Sequence, residues 1–159
     1  MLVGLLVALD AANLAHAQVV CIGASNTAGS GFGDGVTEGE AYPAQLEKLL
    51  RARGLNVTVK NAGVAGITAR TMLGSLNSVT DSSTKVAIID PAWNEPRLGG
   101  SRLDMQRNIA EMSRRLKDRG TKVILFHWPP ESRNGHPSAK AHAIVAAGLL
   151  PQVMAALRR

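Results

Sequence analysis

Aromatic residues are scarce in this chain. Phe, Trp and Tyr together make up 3% of its 159 residues. That is too few for the stacking platforms of single-stranded nucleic-acid binders, so the net charge of +6 calls for another reading. The cations Arg51, Arg53, Arg114, Arg115, Lys117 and Arg119 fall along expected helices, and Arg158 and Arg159 form the tail. That is the distribution of solvated helix faces, not of a nucleic-acid footprint. The single cysteine, Cys21, excludes an internal disulfide and reads as a small core residue within an apolar run. No Gly-Lys-Ser or Gly-Lys-Thr follows any glycine run, which excludes a P-loop. Paired metal ligands are also missing: His136 and His142 are six apart, off one helical face. No metal or cofactor is therefore implied. The apolar stretch Met1 to Leu9 is too short to span a bilayer, and no integral membrane span is expected. Repeats, linkers and low-complexity tracts are lacking, so the chain reads as one domain.

What is present begins with residues 1–17. They resemble a secretory leader, because Ala15-His16-Ala17 fits an A-x-A cleavage signature. This leads to an expectation of a periplasmic or secreted protein whose single domain is 18–159. A cytoplasmic location is the alternative, since no Lys or Arg precedes the apolar run and Asp10 interrupts it.

Beyond the leader, strands and helices alternate. Gln18 to Gly23 is an apolar run ending at a glycine, the pattern of a buried strand. A loop with Gly29, Gly31, Gly33 and Gly35 follows. Pro43 suits a first helical turn, Leu46, Leu49 and Leu50 share a face, and Gly54 is placed to stop the helix. A strand is expected over Leu55 to Val59, a second glycine loop over Asn61 to Gly66, and a short helix over Ile67 to Leu76. Lys85 to Asp90 reads as a third strand buried on both faces. Ser101 caps a helix to Arg119, Thr121 to Phe126 is the fourth strand, and Ser138 opens a last helix to Leu157 around Pro151. This order predicts an α/β fold: a three-layer α/β/α, flavodoxin-like sandwich around a mainly parallel sheet of four or five strands.

In such a sheet the loops after the strands gather at one edge. Four polar positions stand out there: Ser25, Gly66, Asn94 and His136. A hydroxyl nucleophile needs a base, and His136 lies in a loop between Gly135 and Pro137. An oxyanion needs donors aimed at it; the amides of Ser25 and Gly66 and the Asn94 side chain could supply them.

Here the residues resemble a family. Gly23-Ala24-Ser25-Asn26 is similar to the Gly-Asp-Ser-Leu block of the GDSL (SGNH) hydrolases. Residues 43–54 and 61–68 resemble the next segments of bacterial arylesterase, lysophospholipase and acyl-thioesterase members. Residues 86–94 resemble the third strand with its Gly-x-Asn-Asp block, and residues 135–142 resemble the Asp-x-x-His block. The likeness runs from 18 to 157 in order. It implies a serine esterase acting on small carboxylic esters or thioesters through an acyl-enzyme. By the resemblance Ser25 is the nucleophile, His136 the base, and Ser25, Gly66 and Asn94 the oxyanion hole. The chain departs from the pattern at Ala24, at Trp93 and Glu95, and at Arg133, which stands where the family carries its triad aspartate. Asn134 and Glu131 are then the nearest groups to orient His136, with Asp90 and Glu95 able to approach from the third strand.

Two alternatives follow. One is a non-catalytic relative that keeps the fold and binds a ligand, favoured by Arg133 and by the short segment before His136. The other is a short-chain dehydrogenase, because residues 23–29 and Asn61-Ala62-Gly63 also resemble that family's loops. It lacks the Tyr-x-x-x-Lys pair: the only tyrosine is Tyr42, and four residues on stands Leu46.

Overall fold

A computed structural model describes residues 18–29, 35–91, 93–128 and 136–158. The proposed leader, Glu131 and Asn134 lie outside the described residues. Four strands form one parallel sheet: β1 (Gln18–Gly23), β2 (Thr58–Gly63), β3 (Thr84–Ile89) and β4 (Lys122–Leu125), in the order β2-β1-β3-β4. Among the described residues, five α-helices surround it: α1 (Ser25–Ala28), α2 (Tyr42–Ala52), α3 (Ala69–Val79), α4 (Arg102–Asp118) and α5 (Ala139–Leu157). This is the three-layer α/β/α sandwich expected, with four strands described.

The alternation of side chains along the strands builds a core on each face. Val19, Cys21, Val86 and Ile88 point to one side, where Tyr42, Leu46 and Leu50 of α2 meet Val145, Leu149 and Val153 of α5. Val20, Ile22, Ala87 and Ile89 point to the other, against Met72 and Leu76 of α3 and Met105, Ile109, Met112 and Leu116 of α4. Because both faces are covered, β1 and β3 are apolar nearly throughout, as parallel strands are. Burial pushes the Cys21 thiol up to about 12, so it remains protonated and acts as a core side chain.

The helix ends follow local chemistry. Ser101 accepts from the Asp104 amide and Asp104 returns to the Ser101 amide, a reciprocal cap that opens α4. Ser138 accepts from the Ala141 amide to open α5. Pro151 does not break α5. Pro151 and Ala147, whose carbonyl loses its usual donor, both face solvent, so that carbonyl is open to water. By length and composition α5 could cross a bilayer, yet its inward face fills the core.

One expectation needs correction. The second strand runs from Thr58 to Gly63, later than the Leu55 to Val59 expected, so Asn61-Ala62-Gly63 belong to the strand and not to the loop. The register extends the β1 ladder to the pair Gly23 and Gly63. Polar side chains are tolerated because β2 is an edge. The Glu47 carboxylate accepts from the outward Val59 amide at 2.8 Å, satisfying a donor that the edge leaves unpaired.

Candidate active site

The carboxyl ends of β1, β2 and β3 lie side by side, so the loops leaving them converge. Ser25 is the first residue of α1, two residues beyond the end of β1, and is half-buried. Ala24, not Ser25, occupies the cap position. The turn closes through the Gly29 amide, which donates to the Ser25 carbonyl at 2.8 Å while Gly29 adopts φ +77°. The serine therefore stands at a helix N-terminus, where the first N–H groups have no partner within the helix.

Close backbone approach makes this turn possible. A Cβ on Gly23 would sit 2.0 Å from Thr27 Oγ1 and 2.9 Å from Asp90 Cβ. A Cβ on Gly63 would sit 2.3 Å from the Ala28 nitrogen. Strand β2 thus runs directly under α1, and the Val64 amide donates to the Gly23 carbonyl at 3.0 Å. Asn61 fastens the same joint: its Nδ2 donates to the Ala28 carbonyl at 3.3 Å and its Oδ1 accepts from the Gly63 amide.

Gly66 lies exposed in the turn after β2 with φ +71°, and an added Cβ there would meet nothing within 4 Å. Its backbone conformation, not crowding, calls for glycine. Asn94 follows β3 and is half-buried; its Nδ2 donates to the Ile67 carbonyl at 2.9 Å. An amide nitrogen carries two hydrogens, so one remains after this bond. The bond joins the loops after β2 and β3 above the end of β1. Glu95 reinforces it. Its Oε1 accepts from the Ala69 and Arg70 amides at the N-terminus of α3, where a carboxylate is favoured. Its Oε2 has no hydrogen-bond partner among the described residues.

His136 is half-buried and stands two residues before the Ser138 cap of α5. The entry of α5 reaches the same sheet edge through His142. The His142 Nδ1 accepts from the Tyr42 amide at 3.0 Å, and the ring meets Trp128, just beyond β4, edge-on at 4.9 Å between centroids. Burial pushes His142 down to about 4, so it is neutral at pH 7, as an accepting nitrogen requires. Tyr42 also packs edge-on against Phe126 and Trp128, so a cluster of the few aromatics closes the end of β4.

Asp90, weighed from the sequence as an acid able to approach His136, is buried at the end of β3. Its Oδ2 accepts from Thr27 Oγ1 and from Trp128 Nε1, both at 2.9 Å. Burial raises its carboxyl from 3.8 to about 6, against the pull of those two donors. A folded value above the unfolded one means that the folded chain holds the extra proton between the two. This group's contribution is therefore full below about pH 4 and is lost as pH rises through about 6. Relative to the parent, Asp90→Asn should gain about 2 kcal/mol of stability as pH rises from about 4 to about 6, from 1.36 kcal/mol per unit. Urea unfolding of both proteins across that window checks it; parallel curves would contradict it.

Ser25, Gly66 and Asn94 thus lie in the loops that leave the carboxyl ends of β1, β2 and β3, and His136 precedes α5. Sequence reasoning missed Thr27, Trp128 and His142, and the anchoring role of Glu95. Only Glu95, adjacent to Asn94, carried a local signal.

The profile of the family described as "GDSL-like Lipase/Acylhydrolase family" matches residues 21–156. No curated protein matches the chain. Among solved structures it is similar to AlinE4, an SGNH-hydrolase family esterase, at 25% identity and TM-score 0.60, covering 86% of this chain and 71% of that one. TesA matches at 22% identity and TM-score 0.61, covering 86% and 73%. The psychrotrophic esterase EstA from Pseudoalteromonas sp. matches at 17% identity and TM-score 0.59, covering 87% and 74%. The latter two bear on the fold.

Proposed function

The chain belongs to the GDSL-like lipase/acylhydrolase family, and on that premise we propose that it is a serine esterase hydrolysing small carboxylic esters or thioesters. The observation that carries the reading is the 2.9 Å bond from Asn94 to the Ile67 carbonyl, which joins the loops after β2 and β3, the two strands that flank β1. It supports Gly66 and Asn94 as the oxyanion donors of a reaction at Ser25.

In this reading Ser25 Oγ attacks the acyl carbon while His136 takes its proton. The negative charge that develops on the acyl oxygen is held by the amides of Ser25 and Gly66 and by the second hydrogen of Asn94 Nδ2. Each such donor is worth about 10²–10³ in rate. His136 returns the proton to the departing alcohol or thiol. A water then loses its proton to His136, attacks the acyl-enzyme and frees the acid. Asn134 or Glu131 orients the imidazole in place of the family's aspartate. AlinE4, described as an esterase, supports the reaction class. Arg133, at the position of the family's acid, favours a second reading, in which the chain keeps the fold and binds an ester without turning it over.

The two readings separate by covalent trapping. Incubation with a p-nitrophenyl dialkyl phosphate should leave one phosphoryl adduct, found by mass spectrometry on the peptide containing Ser25. An unmodified Ser25 would favour the binding protein.

A further inference from the structure

We propose that Asp90 is a positioning residue for this reaction: its buried carboxylate ties the turn carrying Ser25 to the entry of the helix that follows His136. The inference rests on the esterase reading above.

Thr27 lies two residues after Ser25 on the same short helical turn and is fully buried. Its hydroxyl donates to Asp90 Oδ2. The same oxygen accepts from the Trp128 indole beyond β4, so one atom receives donors from two separate elements. Trp128 abuts His142 on α5, and His142 accepts from the Tyr42 amide at the start of α2. The Tyr42 ring returns to Trp128 at 5.8 Å. The contacts therefore form a continuous path from α1 through β3 and the end of β4 to α5 and α2, with Asp90 as its only carboxylate.

An ionisable group 4% exposed carries a desolvation cost that an apolar side chain would avoid. What it supplies is a shared acceptor for two donors, the fully buried Thr27 hydroxyl and the indole of the half-buried Trp128. Thr27 fits tightly there, since its Oγ1 and Asp90 Cβ crowd the space above Gly23. Catalysis depends on that placement: nucleophile and base must come within hydrogen-bond reach, and a misplacement of about 1 Å can cost about 10²-fold. With Arg133 three residues before His136, the placement of the base leans more heavily on how the start of α5 is held.

The experiment uses the full chain and measures kcat and KM for p-nitrophenyl acetate in the parent, Asp90→Ala, Asp90→Asn, Thr27→Val and the double variant Thr27→Val/Asp90→Ala. Far-UV circular dichroism reports the folded fraction of each. Asp90→Ala and Thr27→Val should each lower kcat by about 10- to 100-fold with KM changed by less than about twofold. Asp90→Asn keeps an acceptor oxygen and should recover most of the loss. The double variant should lose no more than Asp90→Ala alone, as members of one unit do. Folded Asp90→Ala and Thr27→Val with parental kcat would overturn the inference, as would a loss confined to KM. If Asp90→Ala does not fold, Thr27→Val, which removes one hydroxyl, decides alone. A parent without Ser25-dependent hydrolysis overturns the esterase reading and this inference with it; an active parent with unchanged variants overturns this inference only.

Discussion

Ser25→Ala is expected to lower kcat/KM for a p-nitrophenyl ester by about 10⁴-fold or more, leaving only what binding and the oxyanion donors supply. The fold should not change. Ser25 is half-buried, and its side chain does not cap α1. The loss therefore falls on chemistry, with thermal unfolding close to that of the parent. His136→Ala should follow it closely, because a serine hydroxyl without a base is a poor nucleophile. Steady-state hydrolysis beside thermal melts separates the two effects. Ser25→Ala with activity within about tenfold of the parent would place the nucleophile elsewhere, because residual catalysis without the attacking atom does not reach that level.

The second large effect is structural and falls on a glycine that makes no contact with substrate in this account. A Cβ at Gly63 would lie 2.3 Å from the Ala28 nitrogen, 2.7 Å from the Thr27 carbonyl carbon and 2.8 Å from the Ala28 Cα. All three atoms are backbone of α1, so no rotamer change relieves the clash. Either β2 leaves its register with β1 or the serine turn lifts. Gly63→Ala should cost about 3 kcal/mol or more, a fall of about 6–12 °C in Tm for a chain of this size. Any folded protein should have lost most of its activity, because the displaced element is the one carrying Ser25. Gly74→Ala provides the control. Gly74 is exposed within α3 with nothing within 4 Å of an added Cβ, and alanine there should stabilise by about 0.5–1 kcal/mol. A Gly63→Ala protein as stable as the parent would contradict the close approach of β2 and α1.

These two sites differ in how far the sequence foretold them. Strands β1 and β3 were legible because burial on both faces leaves an apolar run that no loop would carry. The ends of α4 and α5 were legible because Ser101 and Ser138 act on neighbours three residues away. From alternating strands and helices it also followed that the loops carrying Ser25, Gly66 and Asn94 leave the parallel strands at one edge. Strand β2 was misplaced because its stability comes from elsewhere. Lys60 and Asn61 look like loop residues, and the Val59 amide is satisfied by Glu47, twelve positions upstream. The anchoring network was illegible for the same reason. Thr27 and Asp90 are 63 residues apart, Asp90 and Trp128 are 38 apart, and Tyr42 and His142 are 100 apart. No periodicity or motif reports such pairs; only the assembled sheet and its helices bring them together. Glu95 is intermediate. Its place beside Asn94 was visible, but not the fact that its carboxylate would cap α3.

Departures from the family pattern have a physical reading in the same terms. Trp93 replaces a small residue beside Asn94; it is exposed, and the Arg102 guanidinium lies 5.2 Å from its ring centroid. The larger side chain is accommodated by turning outward, which leaves the Asn94 bond to Ile67 intact.

The central claim is that this chain hydrolyses esters with Ser25. The most direct measurement is the rate of p-nitrophenol release from p-nitrophenyl acetate and butyrate by the purified protein, with Ser25→Ala and His136→Ala measured alongside. Saturable release by the parent and near-complete loss in both variants are expected, with all three proteins folded. A parent that releases no more p-nitrophenol than Ser25→Ala would contradict it.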